Sequence, residues 1–362
     1  MRRGRITTWI LAMVIAAAAC SALAQDEEGP ILKPNPKPKP AAAQQQPQAK
    51  VVLALAIVKQ IAVPANAAAN VAVNIGISKI YVSGGASGSQ QVAEIDGDSW
   101  KVAVLGTGSG ASVDTATNHV WAAGVYNSSV LVYDGLSREL IRTIRLGACP
   151  VGTSYDSLNG RAWVGAECGG GDDPTYAVNG RNYEVEADPV GSGGVYSGNP
   201  IANPRTGKVY LGGAPEGGQP VSLRIDPRAG FAQTANSFGL VGAVDPLRNL
   251  LFAVPAQNGK QLQIVSGGPG PETVVQTVSL PFAASFGSLA VNPVLGHLYV
   301  GNGEGNSIMV LDETTGATLA TIPLGAGNTA GQLAADSLRN FPHALVGTAD
   351  GPRIFVIKDG GA

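Results

Sequence analysis

Residues 292–325 read NPVLGHLYVGNGEGNSIMVLDETTGATLATIPLG. Three apolar runs stand out: HLYV, SIMVL and TLATIPL. Clusters of Gly, Asn, Asp and Thr separate them. Short apolar runs bounded by turn residues read as β-strands, and no helical period competes with them. Asn292 and Asp312 each precede a turn, where a short polar side chain can accept a hydrogen bond from the backbone two residues on. With LAVN (289–292) in front, the block contains four short strands joined by tight turns.

The same order recurs on both sides of this block. Seven segments align: VAVNIGISKIYV, ASVDTATNHVWA, TSYDSLNGRAWV, IANPRTGKVYL, GAVDPLRNLLFA, LAVNPVLGHLYV and LAADSLRNFPHALV. Their Asn/Asp anchors are Asn74, Asp114, Asp156, Asn203, Asp245, Asn292 and Asp336, spaced by 40, 42, 47, 42, 47 and 44 residues. Seven positions after the anchor stand Tyr81, Trp121, Trp163, Tyr210, Phe252 and Tyr299, and the seventh segment is read with Leu345 after a small insertion. A second marker is read at the end of each third strand: Asp96, Asp134, Asp188, Asp226, Ser266, Asp312 and Lys358.

A fixed period of this length with four strands per unit predicts an all-β, seven-bladed β-propeller of four-stranded blades over 51–362. The seventh unit stops after its third strand, at FVIKDGGA. VVLALAIVKQIAVP (51–64) resembles an orphan fourth strand, so the ring is expected to close through the N-terminal strand and leave no open edge.

The repeat resembles the YVTN-type β-propeller family. Tyr299, Val300, Asn302, Asn306, Asp312, Thr315, Gly316, Ile322 and Gly325 carry the resemblance, which is strongest in the sixth unit and weakest in the third and fifth. It implies an exported bacterial or archaeal propeller and no particular reaction.

Residues 1–24 are read as a signal peptide: Arg2, Arg3 and Arg5, an apolar run from Ile6 to Ala19, then Ala22-Leu23-Ala24 before Gln25. The run is shorter than the roughly 20 residues of a membrane-spanning helix. Lipidation of Cys20 is the alternative, and only then would the chain be held at a membrane. Residues 25–50 are a Pro-, Lys- and Gln-rich linker with too little apolar content to form a core. The expected location is the periplasm or the extracellular space. A net charge of −2 without a basic patch argues against nucleic acid.

His119, His297 and His343 are read in or beside the turn between first and second strands, in three different blades. They cannot converge on one metal, and solvated turn residues are expected. The repeated Asp markers are expected to cap turns. Cys149 and Cys168 fall in loops on one face, and two cysteines in an exported chain suggest a disulfide.

Loops from second to third strands and from fourth to first strands share that face. Glu167, Asp172, Asp173, Glu216, Asn258, Asn302, Glu304, Asn306 and Asp350 lie there as candidate binding residues. The set suits a cationic or hydroxylated ligand, and its oxygen atoms also suit Ca²⁺, although no cofactor is required. There is no Gly-x-Ser-x-Gly elbow and no histidine on that face to serve as base. The reading favours a non-catalytic binding or scaffold protein with a protein or glycan ligand of the cell envelope. An exported propeller enzyme (lyase, lactonase or quinone-dependent dehydrogenase) and a subunit of a surface assembly are the alternatives.

Overall fold

The computed structural model describes residues 54–84, 89–124, 127–147, 149–166, 175–190, 200–213, 221–256, 258–268 and 270–360. All belong to the unit that begins at Val51. The leader, Cys20 and the linker lie outside these residues.

Strand β1 (Leu55–Ala62) comes first. Blade one is β2 (Asn70–Asn74), β3 (Lys79–Gly84), β4 (Gln91–Asp96) and β5 (Val102–Thr107). Blade two is β6 (Ser109–Asp114), β7 (His119–Gly124), β8 (Ser129–Asp134) and β9 (Leu140–Arg145). Blade three is β10 (Pro150–Asp156), β11 (Arg161–Ala166), β12 (Thr175–Asn179) and β13 (Val185–Val190). Blade four is β14 (Ile201–Ala202), β15 (Val209–Gly213), β16 (Val221–Asp226) and β17 (Ala232–Ala235). Blade five is β18 (Leu240–Asp245), β19 (Leu250–Val254), β20 (Gln261–Ser266) and β21 (Thr273–Ser279). Blade six is β22 (Leu289–Asn292), β23 (His297–Gly301), β24 (Ser307–Asp312) and β25 (Thr318–Pro323). Blade seven is β26 (Thr329–Asp336), β27 (Phe341–Gly347) and β28 (Arg353–Asp359), and β1 pairs with β28 as its fourth strand. The chain is a seven-bladed propeller of antiparallel four-stranded sheets, closed by its N-terminal strand.

All seven anchors are buried, and each caps the turn that follows it. The Asn74 carboxamide accepts from Gly76 N–H at 3.0 Å, Asp114 from Ala116, Asp156 from Leu158, Asn203 from Arg205, Asp245 from Leu247, Asn292 from Val294 and Asp336 from Leu338. A buried carboxylate or amide is tolerated there because the turn supplies its donors. Where the anchor is Asn, its NH₂ also donates to an Asn in the next blade: Asn74 to Asn118, Asn203 to Asn249 and Asn292 to Asn340.

Apolar side chains form seven clusters, each drawn from two neighbouring blades. The residue seven after each anchor sits inside one of these seams. Tyr81, Trp121, Trp163, Tyr210, Phe252 and Tyr299 are all fully buried. Each pairs across the blade with the residue two before its anchor, from Ala72↔Tyr81 to Ala290↔Tyr299. Tyr81 reaches into blade two, where its hydroxyl donates to the Gly135 carbonyl at 3.3 Å. A Cβ at Gly135 would stand 2.5 Å from that hydroxyl, so only glycine fits.

Two repeat assignments need correction. In blade seven the register Ala334↔His343 puts His343 in the aromatic slot, with no insertion. Its neighbours on that face, Phe341 and Leu345, pack in the seam shared with blade one. His343 is therefore a buried seam residue rather than a solvated turn residue, hidden in the sequence because its polarity breaks the aromatic pattern. In blade three the third strand ends at Asn179, whose side chain accepts from Arg181 and Asn182 N–H groups as the Asp markers do. Asp188 lies within the fourth strand, β13. Asn179 keeps the marker's spacing, standing 16 residues after Trp163 as Asp226 stands 16 after Tyr210, and it escapes the sequence pattern because it is Asn where most other blades carry Asp.

Closure rests on β1, which pairs with β28 from Leu55↔Asp359 to Ala62↔Arg353. Ile61 and Val63 are buried in the seam between blades seven and one, with Ile80, Val82, Ile354 and Val356. Burying those two side chains stabilises the ring by about 3–6 kcal/mol. Deleting residues 51–64 is expected to remove at least that much and to expose the edge of β28. Denaturant unfolding with an unchanged midpoint would refute the closing role of β1.

Burial, with some help from Arg339, pushes the His343 imidazole down to about 3. Its Nδ1 has no hydrogen-bond partner among the described residues. A histidine with a depressed folded-state pKa stabilises fully above its ordinary value near 6.5, and that stability is lost as pH falls toward 3. His343→Phe restores the aromatic slot and removes an unsatisfied buried group, a gain of about 1 kcal/mol at pH 7. Its advantage over the natural protein should widen between pH 7 and pH 4. Parallel pH dependence of the two unfolding curves would contradict the assignment.

Candidate functional site

Connections from second to third strands and from fourth to first strands lie on one face, the loop face. Backbone hydrogen bonds join neighbouring connections into a rim along blades five to seven. Ala284 N–H donates to Gly259 O at 2.8 Å, Gly303 N–H to Ala283 O at 3.2 Å, Leu324 N–H to Asn306 O at 2.7 Å and Val63 N–H to Pro352 O at 3.2 Å. The 259–283–303 chain of contacts links the loops of blades five and six.

The structure places the candidate residues as follows. Asn302, Glu304 and Asn306 share one loop of blade six, with Glu304 and Asn306 exposed. The Asn302 carboxamide accepts from Glu304 N–H at 3.0 Å, so it shapes that loop. Asn258 is exposed in the adjoining loop of blade five and accepts from Lys260 N–H at 3.2 Å. Asp350 is exposed on blade seven, 3.8 Å from Arg353. Glu167, Asp172, Asp173, Glu216 and Cys168 lie outside the described residues. Cys149 lies between β9 and β10, on the loop face. Among the described residues no group of three or more His, Cys, Asp or Glu is arranged to hold a metal ion.

The rim borders a funnel of 560 Å³. Ser285, Ser288, Thr329, Gln332 and Gly303 are among its lining residues. It leads into a central channel of 260 Å³ lined by the first strands of all seven blades. No charged side chain lines either space among the described residues. The channel's polar groups join neighbouring blades. Asn70 donates to Gln332 at 2.9 Å across the seam between blades one and seven, and the hydroxyls of Ser112 and Thr153 meet at 2.8 Å. Sequence reading passed over these residues because its markers fall on strand ends, whereas Asn70 and Gln332 stand four residues before their anchors.

Buried charge is concentrated near the opposite, turn face. Glu94 is held by Lys79 at 2.8 Å and by Arg138 of blade two at 3.1 Å. Glu272 of blade five receives Lys208 at 2.9 Å, the Tyr210 hydroxyl at 3.0 Å and Arg224, all from blade four. Burial pushes the Glu272 carboxyl up, but Lys208 and Arg224 outweigh it and hold the group below its usual range. His297 Nδ1 lies 2.7 Å from Asp359 of blade seven, which also accepts from the Tyr299 hydroxyl. His297 is thus a partly buried seam residue, which corrects its reading as a solvated turn residue. Glu313 and Asp359 occupy the position after the third-strand marker (Asp312 and Lys358) where Gly97, Gly135, Gly180 and Gly267 stand in other blades. Each carboxylate reaches back to the preceding blade.

No family model and no curated protein matches this sequence. In structure the chain is similar to the β-propeller domain of Myceliophteria thermophila Cps50 (Swd1), with a TM-score of 0.67 and 11% identity over 84% of this chain and 99% of that one. A chain of the mitotic checkpoint complex matches with a TM-score of 0.65 and 15% identity, covering 94% and 98%. A chain of Kuenenia stuttgartiensis hydrazine synthase matches at 0.61 and 13%, covering 82% and 97%. At these identities the likeness shows the fold alone.

Burial and the neighbouring Asp245 push the Glu313 carboxyl up to about 8, against the opposing pull of Arg248. Between about 4.5 and about 8 the folded chain therefore retains a proton that the unfolded chain gives up. This contribution is complete below 4.5 and is lost as pH rises through 8. Glu313→Gln removes the titration, so the variant should gain stability relative to the natural protein between pH 5 and pH 8.5. A constant difference in unfolding free energy across that range would rule the shift out.

Proposed function

We propose that this chain is an exported β-propeller of the cell envelope that acts as a non-catalytic binding or scaffold protein, with a protein or glycan ligand on its loop face. The observation that carries this reading is the rim. Loops of blades five to seven are joined by backbone hydrogen bonds beside a funnel that no charged side chain lines among the described residues, while the buried ion pairs gather toward the other face. Loops held on a rigid ring are where recognition is best placed. A neutral lining of hydroxyls, an amide and backbone groups favours a ligand recognised through hydrogen bonds and shape.

Export is supported by the leader pattern of residues 1–24 and by the YVTN-type resemblance of the repeats. Release at Gln25 gives a soluble periplasmic or extracellular protein, and lipid on Cys20 gives one tethered by the 25–50 linker. A Cys149–Cys168 disulfide would fasten the loop after β11. Binding on the rim requires no cofactor. Similar propellers include a chain of the mitotic checkpoint complex and a chain of hydrazine synthase. The fold by itself is thus neutral between assembly and catalysis, and the lack of charged side chains in the funnel lining among the described residues favours binding.

Photo-crosslinking in cells that export the protein tests the reading. A photoreactive amino acid at Asn258 or Glu304 should give a discrete adduct, and one at Thr314 on the turn face should not. An adduct formed equally from Thr314, or none from the loop-face positions, would overturn it.

A further inference from the structure

We propose that the turn face carries an anion site between blades four and five, built for the tetrahedral oxyanion of a phosphate group. A cavity of 260 Å³ opens there, lined by Arg205, Thr206, Lys208, Asp226, Arg228 and Asn249. Arg205 and Thr206 come from the turn after β14, Asp226 from the end of β16, Arg228 from the turn that follows it, and Asn249 from the first turn of blade five. The site therefore exists only where the two blades meet.

Of its three lining cations only Lys208 is paired with a carboxylate among the described residues. The Arg205 guanidinium donates to the carbonyls of Leu247 and Pro246, which fixes its plane and leaves other N–H groups unspent. The Lys208 ammonium is anchored by Glu272 at 2.9 Å and by Gly270 O at 3.0 Å. Arg228 is exposed and has no carboxylate within 4.0 Å among the described residues. Asp226 spends one oxygen on Arg228 N–H at 3.0 Å. Counting the pair behind the cavity, four cationic side chains (Arg205, Lys208, Arg224 and Arg228) face two carboxylates (Asp226 and Glu272). The surplus matches a dianion, and guanidinium forks match its oxygen geometry.

The repeat provides an internal comparison. At the positions of Arg205 and Arg228, blade one has Gly76 and Asp98, blade two Ala116 and Leu136, and blade six Val294 and Thr314. Turn geometry and blade packing therefore do not demand arginine at either position. The cavity faces away from the funnel, so it stands or falls independently of the loop-face ligand.

Isothermal titration of the mature chain at constant ionic strength tests the site, with inorganic phosphate and glycerol 3-phosphate as the two probes. One saturable site with a Kd of about 1 mM or tighter is expected. Arg228→Gln and Arg205→Gln should each weaken binding about tenfold, the effect of losing one charge-assisted contact. Asp226→Asn keeps an oxygen for the turn and removes a negative charge, so it should tighten binding. Arg181→Gln, an exposed arginine on the turn face of blade three, should change nothing. Tighter binding of glycerol 3-phosphate assigns a phosphomonoester, and equal or tighter binding of the inorganic ion assigns free phosphate. The side chain of Arg228 makes no hydrogen bond or ion pair among the described residues, so its variant should keep the natural melting temperature. Absence of saturable binding, or a folded Arg228→Gln variant that binds like the natural protein, would overturn the proposal.

Discussion

Each blade of this ring turns one large side chain toward its neighbour, and the remaining architecture follows from that contact. A four-stranded sheet has two apolar faces and cannot bury both alone. Here each face is covered by the next blade, which divides the core into seven seams. Tyr81, Trp121, Trp163, Tyr210, Phe252, Tyr299 and His343 occupy the same register in these seams. Burial of such rings is the largest single apolar gain per residue available to a short strand. It also explains Gly135 after the third strand of blade two, because Tyr81 of blade one takes the space of a side chain there.

A ring made of seams needs the last seam as much as the first. Blade seven has three strands from the C-terminal end and takes its fourth from β1, so the two ends of the propeller domain are joined by a full strand ladder. At the hub, the Asn70–Gln332 contact spans that junction. The seams also sort charge along the axis of the ring. Carboxylates such as Glu94, Glu272 and Asp359 lie at strand ends near the turn face, where cations, hydroxyls or an imidazole from the adjoining blade can meet them. Among the described residues no charged side chain lines the channel or the funnel. One face is thus shaped by backbone and small polar groups, and the other by ion pairs between blades.

Much of this was legible from spacing. The anchor recurs because every first turn needs a short acceptor for its N–H groups, and the aromatic recurs because every seam needs a wedge. Asp188 misled because the residue at the marker's ordinary spacing in blade three, Asn179, caps the turn as an amide and not as a carboxylate. His343 was passed over because the seam selects for a buried ring of suitable size, and an imidazole kept neutral meets that requirement while breaking the aromatic pattern. Among the candidate binding residues, Asn302 and Asn258 prove to shape their own loops.

By itself, the sequence determined what is local and periodic: four strands to a unit, seven units, the turn-capping Asn and Asp, and the strand that closes the ring. Strand alternation and turn chemistry act over a few residues, so a repeat writes them out plainly. Only the tertiary structure decided which groups meet between blades. Glu272 with Lys208 and Arg224, and His297 with Asp359, join residues 48 to 64 positions apart. No spacing rule specifies such meetings, because they depend on how one twisted sheet is set against the next.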